Sequence, residues 1–206
     1  MKSLILVSVL TAITLRVTAQ FTNQSAPFHL ILHSDNKTYN NLALFPCHEG
    51  AGIEALCPGP FAPSSSVFRF NTSSNEIKSN SSLGEQGLLT WDLSVNGGDL
   101  NISQSMNLYY DPITNVAVPM FEFGYQVTYV AFDDQSRMNI QSYIDDTKFP
   151  PRQNENPYGP LKAYYRWYVC ETYYIGYLYK TLAWVLGSHS PENPTCVRVT
   201  VTRVFA

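Results

Sequence analysis

The sequence predicts an all-β domain built as an antiparallel sandwich, with a β-trefoil or another closed barrel as the alternative. Three observations carry this. Short segments rich in aromatic and β-branched residues recur between turn signals. Charged residues make up only 14% of the chain while tyrosine occurs 14 times, a composition that suits pleated sheet better than solvated helix. Finally, Thr195 to Phe205 alternates, with Val197, Val199 and Val201 on one face and Arg198, Thr200 and Thr202 on the other, the mark of a half-buried strand.

The first element is a leader. Met1 and Lys2 precede an apolar stretch from Leu4 to Leu15, and Val17-Thr18-Ala19 offers small residues for cleavage after Ala19. Residues 1–19 are therefore expected to be a signal peptide, too short for a membrane span, and 20–206 a single secreted, extracellular domain. No later stretch reads as a membrane span or as the hydrophobic tail of a lipid anchor. Loss of Lys2 and Arg16 with the leader leaves 11 basic against 16 acidic residues, a net charge of −5. That balance excludes nucleic acid and anionic membrane as partners, since both are bound through clustered basic groups.

Strands are expected next at Phe28 to Leu32, Val67 to Phe70 and Leu88 to Leu93, the last closed by Asn96-Gly97-Gly98. Asn71 to Ser82 reads as a solvated loop. Met106 to Tyr110 stops at Asp111-Pro112, and Gln126 to Phe132 meets a turn at Asp133-Asp134-Gln135-Ser136 before Arg137 to Tyr143. Four prolines between Lys148 and Pro160 predict an extended loop. Tyr164 to Tyr174 and Tyr177 to Leu186 are read as strands, although Leu178, Leu182 and Val185 also fall at helical spacing.

Four cysteines in an exported chain predict two disulfides. Of the three connectivities, local pairing favours Cys47 with Cys57 and Cys170 with Cys196. No paired C-x-x-C supports a metal instead. Glycosylation sequons stand at Asn23, Asn36, Asn71, Asn80 and Asn101, while Pro194 disqualifies Asn193.

The strings Cys47 to Cys57, Tyr165-Arg166-Trp167-Tyr168-Val169-Cys170, Leu182-Ala183-Trp184-Val185-Leu186-Gly187 and Asn193-Pro194-Thr195-Cys196 resemble an uncharacterised family of small secreted fungal proteins. The likeness covers most of the mature chain. It implies secretion, paired cysteines and β-structure, and brings no reaction, ligand or catalytic residue.

Candidates for chemistry are sparse. His48-Glu49, braced by a disulfide, offers an acid and a base, yet neighbours on a strand point to opposite faces. Asp133-Asp134 and Asp145-Asp146 are adjacent acids in turn-like surroundings, and Asp92, Glu122 and Glu171 stand alone, whereas glycoside hydrolysis needs two carboxylates about 5–10 Å apart. His29 and His33, four apart, would lie about 13 Å from one another on a strand. No G-x-S-x-G or H-E-x-x-H occurs. Catalytic residues stay unassigned, and no cofactor or metal is expected.

The aromatic run Tyr164, Tyr165, Trp167, Tyr168, Tyr173, Tyr174, Tyr177, Tyr179 and Trp184 is the strongest remaining signal. Read as one strand, it puts Tyr164, Arg166 and Tyr168 on one face, where exposed rings would bind sugar or protein. Two functions follow: a non-enzymatic binding protein meeting cell-wall polysaccharide or a host or cell-surface protein through Tyr164, Arg166 and Tyr168, or alternatively a secreted polysaccharide hydrolase.

Overall fold

Two tryptophans anchor the core of the computed structural model, which describes residues 21–62, 66–73, 82–124, 126–144 and 158–206. The leader 1–19, the sequon Asn80 and the pair Asp145-Asp146 lie outside the described residues.

The strands are β1 (Asn23–Gln24), β2 (Phe28–His33), β3 (Leu42–Gly50), β4 (Ile53–Pro60), β5 (Arg69–Thr72), β6 (Gln86–Val95), β7 (Leu100–Tyr110) and β8 (Val116–Glu122), followed by β9 (Tyr129–Phe132), β10 (Met138–Ile144), β11 (Tyr158–Tyr164), β12 (Trp167–Tyr174), β13 (Tyr177–Val185), β14 (Val197–Arg198) and β15 (Thr200–Phe205). Their pairs are antiparallel, in the order β11-β10-β9-β6-β7-β8-β4-β3-β2-β15, and the sheet curls into a half-barrel. The all-β, antiparallel expectation is met, and Tyr177–Val185 is a strand despite its helical spacing.

Several elements differ from the sequence reading for physical reasons. The β3–β4 hairpin carries Pro46, Pro58 and Pro60, which weaken any strand signal. Strand β8 contains Pro119. On one side β8 pairs β13 at Val116 and Ala117, then β4 at Met120 and Phe121. Pro119, which lacks an N–H, falls where the neighbour changes. The aromatic run is two strands, since Tyr164 ends β11 and β12 begins at Trp167. Strand β11 also takes in Pro160, the end of the expected loop, and the C-terminal segment divides around Val199 into β14 and β15.

Inward-facing residues of β2, β4, β6, β8, β9, β10, β12 and β13 form one apolar cluster that includes Phe28, Leu30, Phe121, Met138, Trp167 and Leu182. Trp167 is fully buried, and its Nε1–H donates to the carbonyl of Met138 at 2.8 Å. Its ring meets that of Trp184 at 4.7 Å and 66°, an edge-on contact worth about 1 kcal/mol beyond the area buried. Both locally paired disulfides form, Cys47 with Cys57 and Cys170 with Cys196. The tip of the β12–β13 hairpin is Ile175-Gly176, with φ of 45° and 84°. Isoleucine there is strained, because a branched Cβ disfavours the left-handed region that this turn demands.

Candidate functional site

The turn between β7 and β8 lies beside β12, and the two enclose a groove of about 280 Å³. Val116, Val118 and Thr172 are buried and make its floor, while the exposed side chains of Tyr109, Ile113 and Tyr173 rise around it. Asp111, Thr114, Glu171 and Asn193 complete the lining. Three of the exposed residues are large and apolar or aromatic, with Ile113 84% and Tyr173 72% exposed.

Pairing explains how distant residues meet here. Tyr109 stands opposite Val118 across β7 and β8, and Trp184 of β13 stands opposite Ala117, which brings the β12–β13 hairpin alongside. The β7–β8 turn is locked by Asp111, whose Oδ1 accepts the N–H of Ile113 at 3.0 Å. Asn115 and Glu192 clamp the turn to the segment before Cys196. The Asn115 N–H donates to Glu192 Oε2 at 3.1 Å, the Glu192 N–H donates to Asn115 Oδ1 at 2.8 Å, and Asn115 Nδ2 donates to the carbonyl of Ser190 at 3.0 Å. On β12, Glu171 donates its N–H to Thr195 Oγ1 and accepts from Asn193 Nδ2. The Cys170–Cys196 disulfide adds a covalent link beside them. The groove is thus preformed by polar clamps and a cross-link, the state that costs least to bind into.

Behind Tyr109 lies a second unusual feature. The ring of Tyr174 meets that of Tyr109 edge-on at 5.2 Å and 89°. Tyr174 also packs on Ala55, Val118 and Met120, with Cys47 and Ile53 at the margin. Nearby, Glu49 is buried, and neither of its carboxylate oxygens has a hydrogen-bond partner among the described residues. Burial, with a smaller contribution from the charge of Glu54, pushes the Glu49 carboxyl up to about 7. The Tyr174 hydroxyl is likewise pushed up, by burial first and then by Glu122, Tyr109 and Glu49. Glu54 is itself buried, and its Oε1 lies 3.1 Å from Nδ1 of His48, whose side chain is 71% exposed.

The other residues singled out by sequence scatter. Asp133 is buried and saturated: it accepts from the N–H groups of Gln135 and Arg137, from the Arg137 guanidinium and from Tyr165, while Asp134 is exposed. Asp92 lies 3.8 Å from Arg69, Glu122 accepts from Asn107, and Glu171 lies 3.8 Å from Lys180. His29 Nδ1 lies 3.1 Å from the carbonyl of Ser66, and His33 Nε2 lies 2.9 Å from Thr202 Oγ1, so each imidazole has its own structural partner. Tyr164 packs on the main core with Arg166 stacked over its ring at 4.7 Å. Tyr168 instead packs against the Cys170, Val116 and Ala183 cluster. The single face expected for Tyr164, Arg166 and Tyr168 is therefore split between two strands. Among the described residues no group of three or more His, Cys, Asp or Glu side chains is placed to hold a metal ion.

A larger depression of about 620 Å³ lies between the β2–β3 loop and β14, lined by His33, Ser34, Asp35, Asn36 and Arg198 among others. It has no aromatic wall, and the hydroxyl of Ser34 donates to the carbonyl of Arg198 across it, which reads as loop anchoring. The groove residues Tyr109, Asp111 and Ile113 were not singled out by sequence reasoning for binding. The only local signal was the aromatic pair Tyr109-Tyr110 running into Asp111-Pro112.

A family model described as a domain of unknown function (DUF7907) matches residues 25–205. No curated protein and no solved structure matches the chain.

Proposed function

The chain belongs to the DUF7907 family, whose description names no activity, and on that footing we propose that it is a secreted, glycosylated, non-enzymatic binding protein that holds a sugar ring of cell-wall polysaccharide in the groove between Tyr109 and Tyr173. The observation that carries this reading is a preformed groove with two exposed tyrosines above an apolar floor. Sugar rings present apolar faces to aromatic side chains and hydroxyls to polar ones. Here Thr114, Asn193, Asp111 and Glu171 supply the polar groups. A fungal source and a site at the cell wall or a host surface complete the proposal, resting on the family resemblance and the leader. The antiparallel sandwich is our reading of the curled sheet, in which β11 and β15 end the strand order without pairing one another while Thr202 of β15 bridges to Arg137 just before β10.

Hydrolysis is the less favoured reading. Its best acid, Glu49, has both oxygens closed off from solvent, out of reach of a glycosidic oxygen.

The test is a pull-down of the purified secreted protein on insoluble chitin, cellulose and β-glucan, with released sugar assayed in the same tubes. Retention without release, lost in Tyr109→Ala and Tyr173→Ala and kept in Tyr164→Ala, is the expected result. Release of sugar would favour hydrolysis. Retention that depends on Tyr164, Arg166 or Tyr168 would move the site to the β11–β12 corner, and no retention at all would point to a protein partner.

A further inference from the structure

A carboxylate buried without a partner is costly when ionised and cheap when protonated, so Glu49 makes its surroundings depend on its proton. Those surroundings lead directly to the groove. Glu49 lies near the end of β3, two residues beyond Cys47, which packs with Tyr174 against the Ala55, Val118 and Met120 cluster; Tyr174 in turn meets Tyr109 edge-on, and Tyr109 is a wall of the groove. We propose that Glu49 is an acid-dependent latch: protonated, it lets Tyr174 stay packed on β4 and β8 and hold Tyr109 in place, and ionised, it draws water into that packing, loosens Tyr174 and unsettles the groove.

The charged and titratable groups around it fit this direction. On its own hairpin stand Glu54, which repels an ionised Glu49, and His48, which is directed to Glu54. Around Tyr174, strand β8 brings Glu122 and β7 brings Tyr109. On β13, Tyr177 stands opposite Tyr174, while Lys180 is directed to Glu171. None of these places a cation on Glu49 itself, so ionisation is not compensated locally. The hairpin end that must yield is built to do so. Its tip is the strained Ile175-Gly176 turn, and Tyr173, Ile175, Tyr177 and Leu178 are all exposed, so few buried contacts hold it down.

The effect on ligand rests on the groove being the binding site, whereas the latch itself does not, and the experiment separates the two. Hydrogen exchange of residues 171–180, corrected for the intrinsic pH dependence of exchange, is followed from pH 5 to pH 8.5 alongside retention on insoluble β-glucan and chitin. Exchange in the wild type should rise several-fold as pH rises, with retention falling in parallel, and Glu49→Gln should stay protected and retained throughout. Glu54→Gln, which removes the repelling neighbour and so eases ionisation of Glu49, should move the midpoint to lower pH and keeps the test informative should Glu49→Gln fail to fold. Exchange independent of pH in the wild type, or an unchanged pH response in Glu49→Gln, would overturn the latch. A pH-dependent hairpin with no retention on either polymer would leave the latch standing and remove the sugar-binding reading. Retention equal at all pH values with a static hairpin would do the reverse.

Discussion

The hydroxyl of Tyr165 donates a 2.7 Å hydrogen bond to the Asp133 carboxylate and so joins the corner between β11 and β12 to the turn between β9 and β10. Arg137 completes the unit: its Nε donates to the same carboxylate oxygen at 2.8 Å, and its guanidinium lies 4.9 Å from the centre of the Tyr165 ring. Burial alone would push the Asp133 carboxyl up, but the hydrogen bonds from Tyr165 and Arg137 outweigh it and hold the group below its ordinary value. The Tyr165 hydroxyl is pushed up to about 12 by burial and by its bond to Asp133.

Replacing Asp133 should therefore destabilise the domain. Asp133→Ala leaves the Arg137 guanidinium, Tyr165 and two backbone N–H groups without their acceptor, at a cost of about 2–4 kcal/mol. Tyr165→Phe removes one bond to a charged acceptor and should cost about 1.5–3 kcal/mol. Urea unfolding midpoints measure both, and midpoints equal to the wild type would show that the unit is dispensable.

Stability should also vary with pH in two opposed limbs. Asp133 has a lowered folded value, so its contribution is present above the unfolded carboxylate range and disappears as pH falls through the folded value. Glu49 has a raised one, about 7 against 4.5, so the fold is favoured below pH 4.5, loses stability between about 4.5 and 7, and carries a constant penalty above. At about 1.4 kcal/mol per unit, that penalty is on the order of 2–3 kcal/mol after local relaxation. Glu49→Gln should remove this decline, gaining most over the wild type above pH 7 and little at pH 4. Denaturant titrations at several pH values decide it, and parallel curves for the two proteins would refute the assignment.

Glycan placement is a third expectation. Asn23, Asn36 and Asn101 are exposed, whereas Asn71 is only part-exposed, sits in β5 opposite Leu88 and accepts a hydrogen bond from Gln24 Nε2 at 3.0 Å. Peptide mass spectrometry after enzymatic deglycosylation in water enriched in heavy oxygen should find the label at Asn36 and Asn101 and not at Asn71. A fully labelled Asn71 would mean that glycan transfer precedes the β1–β5 pairing.

The sequence made the strands legible wherever alternation was unbroken, as in Val197 to Val201, and hid them wherever proline interrupted it, as in Val116–Glu122 and the β3–β4 hairpin. Local disulfides were readable because each pair closes a short stretch, 10 and 26 residues apart. The groove was not, because Tyr109 and Tyr173 meet only through the pairing of β8 with β13, a relation between residues far apart in the chain. Glu49 was visible as a residue next to His48, but its burial without a hydrogen-bond partner arises from tertiary packing that no spacing rule supplies.

The last strand, β15, runs antiparallel to β2, with Val201 opposite Leu32 and Phe205 opposite Phe28. Phe28 and Leu32 are fully buried, so β15 closes the core on that side. Because β15 follows every other described strand in the chain, a growing chain lacks the piece that seals β2 until the rest of the sheet has been made. Pairing strands so far apart in sequence is also slow, since the entropy of so long a loop must be lost before the pairing is gained. Until then β2 remains an uncovered apolar edge, exposed to pairing with other chains.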